Sequence, residues 1–197
     1  KEIAVAAIEA GHDVTIVAKD TGRKSEVLAL GAGYIDLPVN PTGKNLWQEL
    51  KTFYFLWRLF RKERPGIVHN VGLKQMLWGG LAAKLARVPL LVSAVSGLGV
   101  MFSEGRVSHY TRAIMAVLRF SHHRKGVAAI FQNGDDRQLF LERKIVKPEQ
   151  LYFTKGSGVD LNEFAYAPEP DSDKVNVIFT ARMVKEKGMV TLIDAAE

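Results

Sequence analysis

The sequence contains no cysteine, which excludes disulfide bonds and thiolate metal sites. It also has no long apolar run. The longest stretch without a charged residue, 88–103, is shorter than the roughly 20 residues that span a bilayer, and serine and glycine interrupt it. With 7 prolines and 17 glycines in 197 residues, the composition excludes collagen-like and low-complexity chains. No His, Asp or Glu spacing typical of a metal site is present, so we expect neither a metal nor another cofactor.

Acidic residues are scarce in the middle of the chain. Residues 64–134 hold nine basic residues and a single acidic one, Glu104, while the whole chain carries a net charge of +6. A basic surface attracts nucleic acid, anionic lipid or a phosphorylated ligand. A solvated basic face without any partner is the alternative interpretation. No helix-turn-helix, zinc-finger, RNP or KH signature is present, so nucleic acid is not an expected partner.

Short β-branched runs alternate with stretches of helical periodicity along most of the chain. This strict alternation predicts an α/β fold, a doubly wound, Rossmann-like parallel sheet with helices on both faces. The predicted strands are 13–18, 33–37, 67–69, 90–95, 127–131 and 151–153. The predicted helices are 2–10, 23–30, 44–62, 74–86, 107–125 and 135–143.

A change of composition divides the chain near its end. Residues 165–174 contain Pro168, Pro170 and several acids, which is typical of a linker. A further strand at 175–180 and a helix at 187–197 follow it. We therefore expect a first domain at 1–164 and the start of a second Rossmann-like domain at 175–197. We also expect a strand and its glycine loop before Lys1 and the rest of the second domain after Glu197.

Five segments, in their order and spacing, resemble the retaining glycosyltransferases called group 1 or family 4, which have the GT-B architecture of two facing Rossmann-like domains. The segments are Glu9 to Ile16, Arg64 to His69, Gly80 to Pro89, Gly156 to Leu161 and Thr180 to Gly188. The resemblance implies that 1–164 is the acceptor-side domain and that 175–197 begins the donor-side domain.

Three shorter pieces narrow the resemblance within this family. They are Ala94 to Gly99, Phe131 to Asn133 with Asp135 and Asp136 following, and Gly156 to Gly158. They are similar to bacterial members that extend sugars on undecaprenyl-diphosphate carriers. The implied function is transfer of a hexose from a nucleotide-diphosphate sugar, with a UDP-sugar as the expected donor, to a lipid-linked saccharide. The implied pathways make bacterial surface polysaccharide or protein-linked glycans.

The donor diphosphate site is expected at the start of the second domain. Arg182 and Lys187 match the family's basic pair, and Gly188 lets the backbone approach the ligand. Two cations beside the free N–H groups of a helix start suit a leaving diphosphate. A solvated Arg and Lys near a helix start is the structural alternative. The family's donor carboxylates would follow Glu197, so we expect the chain to be inactive alone.

The acceptor cleft is expected where the strands of the first domain end. Many family members carry a histidine after the strand matching 90–95, but this sequence has Ser96, Gly97 and Gly99 there, which offer backbone N–H groups or form a plain tight turn. Lys74 at a helix start and Asn133 after a strand complete the candidate acceptor residues. The paired His122 and His123, like His109, are interpreted as core or surface residues.

A membrane contact is predicted on the helix at 44–62. Leu46, Leu50, Phe53, Trp57 and Phe60 share a stripe that we assign to the core. Phe55 lies opposite, surrounded by Lys51, Arg58, Leu59 and Lys62, a pattern typical of peripheral contact with an anionic membrane surface. The expected location is therefore cytoplasmic, on the inner face of the plasma membrane. Alternatively, Phe55 belongs to a second buried face of this helix.

Two other functions remain open from the sequence. A sugar-nucleotide epimerase shares the two-domain architecture and the diphosphate site, and a non-enzymatic basic binding protein would share the charge. A lipid-linked acceptor and a membrane-facing helix favour transfer over both.

Overall fold

The computed structural model describes residues 1–38, 45–95, 97, 109–168, 176–181, 183 and 187–196. Helices in these ranges are α1 (Glu2–Glu9), α2 (Lys24–Ala29), α3 (Leu46–Glu63), α4 (Leu73–Leu85), α5 (His109–His122), α6 (Gly134–Glu142) and α7 (Met189–Ala196). Strands are β1 (Thr15–Ala18), β2 (Gly33–Asp36), β3 (Ile67–Val71), β4 (Leu90–Val95), β5 (Val127–Phe131) and β6 (Leu151–Phe153). A 3₁₀ turn at Pro148–Gln150 precedes β6.

All strand pairs in the described chain are parallel. One sheet has the order β3-β4-β5-β6, and a separate two-stranded sheet pairs β1 with β2. Helices connect successive strands, which is the arrangement that parallel pairing requires. The predicted α/β, Rossmann-like fold is confirmed.

The sequence gives α3 clear ends. Asn45 caps it, because its side-chain oxygen accepts a hydrogen bond from the Trp47 amide at 3.0 Å. The helix ends at Arg64, whose backbone is left-handed with φ 47°. Since α3 leads from the end of β2 to the start of β3, its first turns lie toward the carboxyl end of the sheet and its last turns toward the amino end.

The core consists of two apolar clusters stacked along the strands. The amino-side cluster centres on Val68, Leu91 and Val127, which are neighbours in strand register, under α3 and the end of α4. The carboxyl-side cluster centres on Val95 and Phe131, under α4, α5 and α6. Burial at alternate strand positions is the reason that the short strand predictions succeeded.

A buried polar row separates the two clusters. Asn70 and Ser93 are register partners on β3 and β4, and both are buried. His122 of α5 is fully buried above them, with its Nε2 3.0 Å from the Ser93 hydroxyl. Gly80 of α4 allows this packing, because a Cβ there would lie 2.6 Å from the His122 ring.

The core stripe predicted on α3 is confirmed in part: Phe60 is buried and Phe53 and Trp57 pack against the amino-side cluster, but Leu46 and Leu50 are exposed. The helix also buries Thr52 and Leu56. The Thr52 hydroxyl is satisfied by the Pro38 and Gln48 carbonyls, at 3.1 and 3.0 Å. The strand predicted at 175–180 is not observed over 176–180, and none of the described strands pairs with these residues.

Candidate functional site

The four strands of the larger sheet end at one edge. β3, β4, β5 and β6 are parallel, so Val71, Val95, Phe131 and Phe153 lie along the same carboxyl edge. In open α/β sheets, ligands bind in the crevice outside this edge. The residues that follow these four strand ends therefore form the candidate site.

Gly72 makes the turn between β3 and α4. Its backbone has φ 90° and ψ 160°, a conformation that is accessible mainly to glycine. Its amide donates to the Ala94 carbonyl of β4 at 3.0 Å, and its carbonyl accepts from the Met76 amide at 3.0 Å. These bonds hold the start of α4, with its free N–H groups, at the carboxyl edge.

Lys74 stands in the first turn of α4, as predicted, but it is already paired. Its Nζ lies 2.5 Å from a carboxylate oxygen of Glu49 in α3, and the two side chains are 27% and 14% exposed. The Trp78 indole N–H donates to the other oxygen of the same carboxylate. The ammonium therefore joins α3 to α4, and it can contact an anion only by sharing its charge with Glu49.

Glu49 was not predicted from the sequence. An acid in the first turn of a helix is already explained by the helix dipole, so it attracts no attention there. It lies 25 positions from Lys74, and no local periodicity connects the two residues. The packing of α3 against α4 alone brings them together.

Asn133 follows β5, as predicted, but its side chain is committed to α6. Its Oδ1 accepts from the Asp136 amide at 2.8 Å, and its Nδ2 donates to the Asp136 carboxylate at 2.7 Å. Asp135 and Asp136 fill the first turn of α6 with negative charge. A phosphate at this edge is therefore accommodated better beside α4 than beside α6.

The segment after β6 is attached to the end of β5. The Thr154 amide donates to the Phe131 carbonyl at 2.9 Å, and the Gln132 side chain donates to the Ser157 hydroxyl at 2.8 Å. Gly156 and Gly158 flank Ser157 with φ of 122° and 71°. These contacts bring the Gly156–Ser157–Gly158 piece, which the sequence singled out, to the carboxyl edge.

Other candidate residues are only partly described. Gly97 is exposed, with φ 139° and open space around it, whereas Ser96 and Gly99 lie outside the described residues. Lys187 is exposed and Gly188, with φ 81°, directly precedes α7 and accepts from the Leu192 amide at 2.9 Å. Arg182 also lies outside the described residues, so its pairing with Lys187 stays a prediction.

Behind the edge, His122 is held neutral. Burial lowers the pKa of its imidazole to about 4. Its Nδ1 lies 2.7 Å from the Ser121 hydroxyl and 3.1 Å from the Leu118 carbonyl, so both ring nitrogens have polar neighbours. The residue is a structural part of the polar row and has no surface through which to reach a ligand.

Four of the five predicted membrane residues, all except Lys51, line one open groove of α3. Lys51, Arg58 and Lys62 are exposed, whereas Phe55 and Leu59 are half-buried and also pack against the amino-side cluster. Phe55 therefore does not point away from the core as expected. The groove, of about 720 Å³, is lined by four apolar or aromatic side chains and three cations: Tyr54, Phe55, Trp57, Leu59, Arg58, Arg61 and Lys62. We call it the aromatic groove.

Aromatic and cationic side chains alternate along this groove. The Arg58 and Arg61 guanidinium groups each lie 5.9 Å from a ring centroid, those of Tyr54 and Trp57 respectively. Two turns before it, Trp47 is 75% exposed and Leu46 is 64% exposed. Large apolar side chains are thus presented to solvent along α3 itself, a feature that the helical-wheel argument assigned to the core.

No described helix is both long and apolar enough to cross a membrane. No group of three or more His, Asp or Glu side chains is positioned to hold a metal ion in the part of the chain that the structure describes.

Comparison with known proteins identifies the chain's relatives. Residues 1–152 match the family described as Glycosyltransferase Family 4. A UDP-Gal:alpha-D-GlcNAc-diphosphoundecaprenol alpha-1,3-galactosyltransferase from Escherichia coli is 24% identical over 155 residues, covering 79% of this chain and 39% of the relative. An N,N'-diacetylbacillosaminyl-diphospho-undecaprenol alpha-1,3-N-acetylgalactosaminyltransferase from Campylobacter jejuni is 23% identical over 173 residues, covering 85% and 44%. The chain spans less than half the length of these curated relatives.

Proposed function

Since this chain belongs to Glycosyltransferase Family 4, we propose that it is the acceptor-side part of an enzyme that moves a sugar from a nucleotide-diphosphate donor to a lipid-linked saccharide. Transfer proceeds with retention at the donor carbon, in the assembly of bacterial surface polysaccharide or glycan. The observation that carries the proposal is the family match over the same residues that form the parallel sheet and its carboxyl edge.

The names of the relatives support the acceptor class. Both are named for transfer to a sugar carried on an undecaprenol diphosphate, and the Escherichia coli protein is named for a UDP-linked donor. We propose a UDP-sugar as the donor and an undecaprenyl-diphosphate-linked saccharide as the acceptor for this chain.

The donor diphosphate is proposed to bind at Arg182, Lys187 and Gly188. The leaving diphosphate gains negative charge in the transition state, and fixed cations and N–H dipoles stabilise that charge most strongly where water is excluded. The exposed Lys187 and the left-handed Gly188 immediately before α7 support this assignment, because they leave the helix start open to a ligand.

The acceptor is proposed to bind along the carboxyl edge of the larger sheet. The N–H groups at the start of α4, with Lys74 beside them, suit the carrier diphosphate. Ser96, Gly97 and Gly99 follow β4 in the sequence, and we propose that their backbone N–H groups bind the sugar. Asn133 contributes through its backbone, because its side chain caps α6.

The domain organisation is proposed as expected: 1–164 as the acceptor-side domain, 165–174 as a linker, and 175–197 as the start of the donor-side domain. The unpaired lateral sides of β1 and β3 support a further strand in the first domain. β1 pairs only with β2, and β3 pairs only with β4, so two parallel edges remain unpaired among the described strands. An extended strand between them would satisfy both.

Peripheral attachment to the inner face of the plasma membrane is proposed to occur through α3. Lys51, Phe55, Arg58, Leu59 and Lys62 supply cations around an apolar groove, which is the surface that an interfacial helix presents to anionic lipid. Attachment through α3 would bring the enzyme to its lipid-linked acceptor.

The test is an assay of the full-length protein with UDP- and GDP-sugars and undecaprenyl-diphosphate-linked acceptors. We expect acceptor-dependent transfer that falls by at least a hundredfold on Arg182→Ala or Lys187→Ala, since groups that stabilise transition-state charge are worth about 10² or more. Conversion of the nucleotide sugar without an acceptor would instead establish an epimerase, and an anomeric configuration inverted in the product would overturn retention.

A further inference from the structure

A second cleft lies at the opposite, amino end of the sheet, where α3 and α4 both finish. It has a volume of about 380 Å³, and Arg61, Arg64 and Arg87 line it together with apolar side chains that include Phe60 and Val88. All three arginines are exposed. We call it the arginine cleft.

The arginines of this cleft have no acidic counterpart. Among the described residues, none that lines the cleft is acidic, and the ion pairs found there include none of the three arginines. Arg61 stands in the last turn of α3, where the helix dipole favours a cation, but Arg64 and Arg87 follow the last turns of α3 and α4. A guanidinium group can bind a phosphate through two parallel hydrogen bonds, so three arginines that line one cleft favour a phosphate as its ligand.

The cleft is continuous with the aromatic groove. Arg61 lines both, with its guanidinium 5.9 Å from the Trp57 ring centroid. A ligand that follows this surface meets a phosphate-binding end and then an apolar wall of Trp57, Phe55 and Leu59. A free phosphate or nucleotide would use only the first part, whereas a phospholipid has both a charged headgroup and an acyl region.

We propose that the arginine cleft binds the headgroup phosphate of an anionic phospholipid in a bilayer that the aromatic groove contacts. This inference rests on the proposed peripheral attachment and adds a specific headgroup site to it. The site lies at the amino edge of the sheet, away from the carboxyl edge proposed for sugar transfer. Binding here therefore fixes how the enzyme lies on the membrane without occupying the acceptor cleft.

The experiment measures sedimentation of the full-length protein with phosphatidylcholine vesicles that contain or lack phosphatidylglycerol. We compare wild type with Arg61→Gln/Arg64→Gln/Arg87→Gln and with a control of equal charge, Lys19→Gln/Arg112→Gln/Arg137→Gln, built at three exposed positions outside both clefts. We expect the cleft variant to bind anionic vesicles about a hundredfold more weakly. The control variant should lose much less of its affinity for anionic vesicles. Circular dichroism should show the native melting transition in both variants.

A second variant separates a phosphate site from diffuse attraction. Arg61→Lys/Arg64→Lys/Arg87→Lys keeps the charge but removes the two-pronged hydrogen bonding, so we expect an intermediate loss. The proposed headgroup site would be overturned if this lysine variant bound vesicles as tightly as wild type. It would also be overturned if the control variant lost as much affinity as the glutamine cleft variant. Inorganic phosphate or duplex DNA that binds the cleft as well as anionic vesicles do at the same ionic strength would overturn it too. Vesicle binding needs no turnover, so failure here is distinct from failure of the sugar-transfer assay.

Discussion

The two edges of the four-stranded sheet are built from different chemistry. At the carboxyl edge, glycine turns expose backbone groups, and the polar side chains described there are already paired: Lys74 with Glu49, Asn133 with Asp136, and Gln132 with Ser157. At the amino edge, cations dominate. Arg124 donates to the Val88 and Pro89 carbonyls at 2.9 and 3.2 Å, while Arg61, Arg64 and Arg87 remain open to solvent.

The contrast fits the two roles proposed for this sheet, sugar transfer at the carboxyl edge and membrane contact at the amino edge. A reacting edge needs groups held in fixed positions, because catalytic geometry tolerates little displacement. A surface that contacts a membrane needs accessible charge and apolar area, and its exact geometry matters less. Paired polar side chains at the first edge and three exposed arginines at the second fit these two tasks.

The largest expected effect tests whether the carboxyl edge depends on the cluster behind it. Phe131 ends β5, is fully buried, and meets Phe140 of α6 edge-on with ring centroids 5.0 Å apart. Phe131→Ala should lower the free energy of unfolding by about 3–5 kcal/mol, because it leaves a cavity among rigid neighbours. Urea denaturation followed by circular dichroism measures the loss. Phe120→Ala, at a side chain 53% exposed, is the control and should cost far less; equal losses would contradict the assignment.

The next effect concerns the polar row between the two edges. Burial lowers the pKa of His122 from about 6.5 in the unfolded chain to about 4 in the folded protein. The folded state therefore favours the neutral imidazole. Its contribution to stability is complete above about pH 6.5 and is lost as the pH falls toward 4. At pH 5 we expect a loss of roughly 2 kcal/mol relative to pH 7 from this group.

Urea midpoints at pH 7 and pH 5 measure this loss. His122→Gln should remove most of the difference between the two values, at the expense of lower stability at both. His123→Gln is the matched control, because His123 is exposed next to it and should leave the pH dependence unchanged. A pH dependence that survives in His122→Gln would show that other groups cause it.

The smallest effect shows whether Lys74 contacts the carrier diphosphate or only holds α3 against α4. If Lys74 contacts the carrier diphosphate, Lys74→Met in the full-length enzyme should raise the acceptor KM about tenfold, or roughly 1.4 kcal/mol. Glu49→Gln should lower or preserve that KM, because it releases the ammonium from its ion pair. Steady-state kinetics with varied acceptor give both values. An equal rise in KM for the two variants would mean that the pair only holds α3 against α4.

Much of the fold could be predicted because each strand has a regular local pattern. The bounds predicted for β4, β5 and β6 are those observed, since buried apolar runs and turn residues mark them directly. The predicted core stripe of α3 was wrong only in its first turns, because the exposed Leu46 and Leu50 fit the apolar period as well as the buried Phe60 does. A periodic pattern identifies a helix, and tertiary contacts decide which side is covered.

The candidate site was harder to predict than the fold, because its pairings are between distant residues. Lys74 and Asn133 were located correctly at the strand ends, but their partners were not foreseen. Asn133 is a helix cap that its sequence neighbours Asp135 and Asp136 already suggested. The Glu49 partner of Lys74 comes from another helix, so only three-dimensional packing could identify it.

The first four described helices end on two different kinds of residue. α1 and α2 are followed by Gly11 and Gly31 in the left-handed conformation, whereas α3 and α4 reach the same conformation at Arg64 and Arg87. A side chain in that conformation is less stable than glycine by roughly 1–2 kcal/mol. Replacing both arginines with glycine should therefore stabilise the fold, and it should weaken vesicle binding if the proposed headgroup site is correct.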